Sequence, residues 1–423
     1  MSFGYHCPWI AFKCKCLGHF LISASAYPYL LPSSYYPFEP LRYCQMHSTA
    51  GHSLLPHMLL FFLLLVSNVS ICLAVWPEFL GPAIEATKLS DAVKDAVQIA
   101  RVVAVTFNDC DMTYNRYFRQ QDSQLVKHFF QRLADIPLDS VINADNLAEV
   151  FSKPVKDGLH ERYAKLSISY GPHPNRPDKS DPDPCTSYRR FAQMENGDAE
   201  NGMITVCERT FRLPLSSEIE NPPAWGKDAQ GNPLPGFSCD GLGGHDSGWM
   251  KTMGSTMLHE LMHWSYPFDD IPDFHYDIEE SDLGYTQITD FLNPDPQPGW
   301  PPKGYGPYYS KMLRDLETDS LSSKTLQNVD NYIYYAVSKY WSFKCNKLFG
   351  PATSQDDSVR YRERPSRPGQ SVWDLPDVSV EEDVPTHIQA RDVSFGEWAP
   401  FHVNTTLLHA VGRRHGRDWA ILY

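Results

Sequence analysis

Thr252-Met253-Gly254-Ser255-Thr256-Met257-Leu258-His259-Glu260-Leu261-Met262-His263-Trp264 carries more chemistry than any other stretch of this 423-residue chain. An apolar, helix-compatible lead-in, interrupted only by Gly254, runs into His259 and His263. Residues four apart on a helix sit one above the other, roughly 5–6 Å between Cβ atoms, so the two imidazoles can share one metal. Glu260, next to the first imidazole, is placed to act as general base on a metal-bound water. The competing reading is an exposed helix that happens to carry His, Glu and His. The apolar neighbours Leu258, Leu261, Met262 and Trp264 oppose it, because a surface charge cluster is not embedded in such a pattern.

The N-terminal part looks unlike a packed core. Residues 59–74 form an apolar run ending in Cys72-Leu73-Ala74, a triplet suited to signal peptidase. The run is shorter than the roughly 20 residues a membrane-spanning helix needs, so 58–74 is expected to be a cleaved secretory signal rather than an anchor. Residues 1–57, rich in Tyr, Pro and Cys and without periodicity, read as a misassigned or unstructured extension, with Met46 or Met58 as the expected start. The protein is therefore expected to be secreted and extracellular, with no stable membrane insertion after cleavage. The chain's formal charge is −14, and only Lys13, Lys15, Arg42 and Glu39 precede Val75, so the remainder is more acidic still. That balance argues against nucleic acid and anionic membranes as partners. Beyond the signal lie Cys110, Cys185, Cys207, Cys239 and Cys345. An odd set in an oxidising compartment predicts two disulfides with one cysteine left over, and no Cys-x-x-Cys pair supports a thiolate zinc ribbon or redox centre.

Val93, Val97, Ala100 and Val103 recur at helical spacing from Thr87 onward behind a Ser90 cap, as do Leu125, Phe129, Phe130 and Leu133 from about Asp122. Gly202-Met203-Ile204-Thr205-Val206-Cys207 reads as a strand of a short sheet, and residues 172–185 and 221–248 read as loops. Tyr305-Gly306-Pro307 opens a helix to about Leu316, with Pro307 where its missing N–H matters little. Another helix begins near Asn328 and carries Tyr332, Tyr335, Ala336 and Tyr340. Beyond Gly350 the chain is polar, aperiodic and contains Pro and Arg, so 350–423 is expected to be a mostly disordered tail. His402, His409 and His415 in it lack ligand spacing, and Asn404-Thr405-Thr406 is a glycosylation sequon. The folded part is then 75–349, α+β, mainly helical with a small sheet.

A hydrolytic zinc site needs a third protein ligand and an open position. The long metzincin signature is not met, because Tyr266 stands at its glycine and Asp269 at its third ligand. Glu279 and Glu280 offer a glutamate outside any clear helix. His259-Glu260-Leu261-Met262-His263, then Tyr305-Gly306 opening a helix, then Asn328-Val329-Asp330-Asn331-Tyr332, together resemble the aspzincins, the fungal deuterolysin and peptidyl-lysine metalloendopeptidase group. The likeness covers roughly residues 185–345. It implies a zincin-like metallopeptidase domain: a zinc-dependent endopeptidase acting on proteins or peptides through a Glu260-activated, zinc-bound water. It also implies an aspartate as third ligand and Tyr305 as a candidate oxyanion donor, the alternative for Tyr305 being a packed aromatic at a helix start. From the cysteine order of that group follow the pairs Cys185–Cys207 and Cys239–Cys345, with Cys110 left over. A monomer is expected.

In that group the ligand stands three residues before the tyrosine, and here Pro302 holds that place, so the proline-rich segment before Tyr305 reads as an insertion. The expected ligand moves upstream to Asp290, in Gln287-Ile288-Thr289-Asp290-Phe291, ahead of Asp282, then Asp295 and Asp269. Asp282 keeps the Asp-x-x-Tyr spacing with Tyr285; any one of the four is otherwise a solvated loop charge. Lysine-specific members of the group carry a glutamate three residues after the aspartate of the later helix. Ile333 stands there, so a broad or hydrophobic preference is expected rather than a strict one for lysine. The rival reading is a catalytically inactive secreted zinc-binding or host-contacting protein on the same fold. The disrupted aspartate–tyrosine spacing supports it, and Glu260, which zinc capture does not need, opposes it.

Overall fold

The valine and alanine stripe that begins at Val93 becomes the central helix of the protein, α1 (Ala83–Val105), on which Leu89, Val93, Ala96, Val97, Ala100 and Val103 are fully buried. A computed structural model of the chain describes residues 76–142, 146, 150, 161–177, 183–186, 190–279, 284–293, 300–317, 323–359 and 361–365. These belong to one unit, Ala74–Tyr423. The expected extension and signal, Asp282, Glu280, Asp295, the tail histidines and the sequon lie outside the described residues. α1 starts earlier than its expected Ser90 cap: Pro82 holds the N-cap with extended backbone, Glu85 complements the first turn's dipole, and Ser90 lies inside the helix. α2 (Met112–Tyr117) is capped by Asp111, whose side chain accepts the Tyr114 N–H at 2.5 Å. α3 (Ser123–Leu133) packs its apolar stripe against α1.

A four-stranded sheet of β1 (Glu78–Leu80), β2 (Ser167–Tyr170), β3 (Ala192–Met194) and β4 (Met203–Val206) runs in the order β1-β2-β4-β3. β1, β2 and β4 are parallel, in register Phe79↔Ile168↔Ile204, and β3 closes the edge antiparallel to β4 through Ala192↔Val206 and Met194↔Ile204. The strand expected around residues 202–207 is β4. β1, β2 and β3 span three or four residues each, too few for alternation to stand out.

The helix of the decisive stretch, α4 (Met253–Met262), opens on a reciprocal cap in which Thr252 and Ser255 satisfy each other's backbone N–H groups at 2.9 and 3.0 Å. It crosses α1 at Gly254, where a Cβ would stand 2.4 Å from Asp95 Cβ and 3.2 Å from the Ala96 nitrogen. The glycine that interrupts the apolar lead-in is thus the contact that lets two helices approach. α5 (Gly306–Leu316) and α6 (Val329–Cys345) follow, and α6 lies against both α1 and α4 with Tyr332, Tyr335, Ala336 and Tyr340 buried. Cys185–Cys207 and Cys239–Cys345 are disulfides, and Cys110 belongs to neither. Among the described residues no helix is long and apolar enough to cross a membrane.

The tail boundary at 350 is corrected. The chain continues through α7 (Gln355–Val359), packed on α5, and Ala352, Tyr361, Arg362 and Glu363 are buried. Glu363 pairs with Arg209 at 2.7 Å and Arg212 at 3.0 Å, while Arg362 lies over the Phe237 and Trp249 rings. The polar composition that reads as disorder is polarity matched by partners, which composition does not reveal.

Candidate metal centre

Helix α4 brings His259 and His263 onto one face, with their Nε2 atoms 3.2 Å apart. Each ring's other nitrogen is engaged. His259 Nδ1 lies 3.0 Å from Asp330 Oδ1, and His263 Nδ1 lies 2.8 Å from the Ile288 carbonyl oxygen. Since a carbonyl and a carboxylate can only accept, these partners assign the proton to Nδ1 and leave both Nε2 lone pairs turned toward each other.

Asp290 completes the group. Its Oδ1 stands 3.3 Å from His259 Nε2 and its Oδ2 3.6 Å from His263 Nε2. The segment that carries it is pinned to the start of α6: Thr289 N–H donates to the Gln327 carbonyl at 3.0 Å, Val329 N–H to the Thr289 carbonyl at 3.0 Å, and Phe291 N–H to Asn328 Oδ1 at 3.0 Å. The two ends of the proline-rich segment meet at one place, because Asn293 N–H donates to the Pro302 carbonyl at 3.0 Å and Gly304 N–H to the Phe291 carbonyl at 2.8 Å. Tyr305 therefore comes back to Asp290 across the intervening residues, and its hydroxyl donates to Oδ2 at 2.7 Å. Gly306 next to it has φ of +83°, a region costly for other L-residues, and this turns its N–H onto Asp330 Oδ2 at 2.6 Å. One buried carboxylate thus joins α4 to the start of α5. Glu260 is buried, and its Oε2 accepts the Met194 N–H of edge strand β3 at 2.7 Å.

Burial alone would lower the His259 pKa, but Asp290 and Asp330 outweigh it and hold the imidazole well above its ordinary value; Asp290 does the same, less strongly, for His263. Burial alone would raise Asp290, yet the two imidazoles hold it well below the usual carboxylate range. Glu260 is raised, chiefly by burial. Burial and then the Asp290 charge raise the Tyr305 phenol, which keeps it a donor.

The donor set fits zinc. Two ligands about 2.0–2.1 Å from a tetrahedral zinc stand about 3.3–3.4 Å apart; here the two Nε2 atoms stand 3.2 Å apart, and each lies 3.3 or 3.6 Å from a different oxygen of the Asp290 carboxylate. Asp290 Oδ1 is buried without a well-formed hydrogen bond, as expected of an oxygen reserved for a cation. Among the described residues this is the one group of three His, Cys, Asp or Glu ligand atoms lying within 4.8 Å of one another. Asp269 is elsewhere, half exposed and 3.8 Å from His275, and Glu279 pairs with Lys324 at 2.9 Å. Comparison with known protein families, curated proteins and solved structures returned no match for the chain.

The triad opens into a cleft of about 830 Å³ whose walls are β3, α4, Tyr305, α6 and the segment after Gly350, through Ser358 and Tyr361. Three participants were not legible in the sequence as such: Asp330 as the orienting partner of His259, the Ile288 carbonyl, and the Met194 N–H. The first had a faint signal in the Asn-Val-Asp-Asn-Tyr pattern; the other two are main-chain groups with none.

Proposed function

We propose that this protein is a secreted zinc-dependent endopeptidase with a zincin-type site like that of the aspzincins. The observation that carries the reading is the convergence of His259 Nε2, His263 Nε2 and an Asp290 carboxylate at tetrahedral-ligand separations, beside the buried carboxylate of Glu260. His259, His263 and Asp290 hold the zinc, which when bound supplies Lewis acidity to the site. Asp330 and the Ile288 carbonyl keep both imidazoles in the ligating tautomer and orientation. Glu260 takes a proton from the attacking water as its oxygen bonds to the scissile carbonyl carbon. The same carboxyl delivers the proton to the leaving amine as the C–N bond breaks. The Met194 N–H fixes its direction. Tyr305, kept protonated, turns its hydroxyl from Asp290 to the oxyanion. The two disulfides and the apolar run at 59–74 support secretion.

The test is zinc content and casein or peptide hydrolysis of the full chain beside Glu260→Gln. Wild type should hold one zinc and hydrolyse. Glu260→Gln should keep the zinc and lose roughly 10²-fold or more in turnover, because it removes the base and leaves the ligands. Undiminished cleavage by Glu260→Gln rules out the mechanism, and a zinc-loaded wild type that cleaves nothing leaves a binding role.

A further inference from the structure

Lys251, just before the Thr252 cap of α4, lines the same cleft, and among the described residues no carboxylate or carbonyl oxygen is bonded to its ammonium. It rests instead on aromatic faces, 3.8 Å from the centre of the Phe191 ring and 5.5 Å from that of Tyr361. The acidic groups around it are committed elsewhere: Glu363 to Arg209 and Arg212, Asp330 to His259 and Gly306, and Glu260 to the Met194 N–H. Beside it, α6 contributes Ile333, Tyr334 and Val337 to the cleft wall. A partly dehydrated cation at an apolar wall is complementary to a carboxylate on a short aliphatic stem and hostile to an ammonium.

We infer that Lys251 sets the specificity of the cleft by receiving a carboxylate of the bound peptide, either an Asp or Glu side chain or a free C-terminus. This rests on the peptidase reading for the role of the cleft. Burial pushes the lysine down to about 8, so it remains largely charged at neutral pH while being poorly hydrated. The inference goes beyond the broad or hydrophobic preference expected from Ile333: the polarity is opposite to that of a lysine-binding pocket.

The experiment uses the zinc-loaded full chain and quenched peptides that differ only by Glu, Gln, Leu or Lys at each position around the cleaved bond, each with a free or an amidated C-terminus. At one position Glu should exceed Gln by roughly 10- to 100-fold in kcat/KM, carried mainly by KM, with Lys the poorest. Lys251→Met should bring the Glu-to-Gln ratio close to one, and Lys251→Arg should retain it. If the C-terminus is the ligand, amidation lowers kcat/KM by a similar factor and the side-chain identity does not matter. Calorimetry of Glu and Gln peptides on Glu260→Gln provides a readout independent of turnover. A Lys251-dependent Glu preference in binding, with no hydrolysis by wild type, sustains the carboxylate seat and refutes the peptidase. Equal Glu and Gln together with indifference to amidation, no binding at all, or a preference that survives Lys251→Met, overturns the inference.

Discussion

Asp330 bonds at once to His259 Nδ1 and to the Gly306 N–H, so its carboxylate orients the proposed ligand His259 and anchors a helix start. Asparagine keeps one acceptor there but sets an N–H₂ against one of two donors. Asp330→Asn is expected to weaken zinc binding by roughly 10- to 100-fold, measured by chelator competition. Asp290→Ala, which removes a proposed ligand, should weaken it further. Equal affinity in wild type and Asp330→Asn would show that packing alone orients His259. At this scale the sequence was informative where residues are neighbours on one helix: His259, Glu260 and His263 share a turn of α4, and that relation is local. It was less informative for Asp290, weighed against three other aspartates, because nothing in residue spacing tells which loop carboxylate returns to the helix.

The crossing of α1 and α4 governs the element scale. Gly254→Ala sets a methyl group against Asp95 and the Ala96 backbone, and an overpacked contact of this kind is expected to cost about 1–3 kcal/mol, read from denaturant midpoints. A substitution without effect there would mean that the helices can separate freely. Asp95 at the same crossing accepts the Ser216 N–H at 2.8 Å, and burial raises its carboxyl to about 6. The folded state thus keeps a proton that the unfolded chain releases near the ordinary value, 3.8, so this group's contribution to stability falls as pH rises from about 4 to about 6. Asp95→Asn should match wild type at pH 4 and exceed it at pH 7 by at most about 3 kcal/mol. Urea titrations at the two pH values decide it; a gain at pH 4 as large as at pH 7 would assign the effect to packing. Helices of this length show their period plainly, whereas β1, β2 and β3 are too short for theirs, and the start of α1 moved because Pro82 caps as Ser90 was expected to.

Across the whole molecule, the segment after Gly350 returns to the body and supplies Ser358 and Tyr361 to the cleft. One of its anchors is the buried pairing of Glu363 with Arg209, a bond between residues 154 positions apart. Glu363→Ala leaves Arg209 buried without that carboxylate and is expected to destabilise by about 3–5 kcal/mol in thermal or denaturant unfolding. A loss below about 1 kcal/mol would mean that water reaches Arg209 and that the segment is held elsewhere. Helical period, the two-histidine turn and the oddness of the cysteine set were determined by the sequence alone, since each depends on backbone geometry over a few residues or on counting. Which aspartate meets the histidines, how the ends of the proline-rich segment close so that Tyr305 returns to Asp290, which carboxylate orients His259, and that among the described residues no carboxylate is bonded to Lys251 were decided only by the tertiary structure. The physical reason is range: these relations join groups separated by tens of residues and exist only once α4, α6 and the Asp290 segment are packed together.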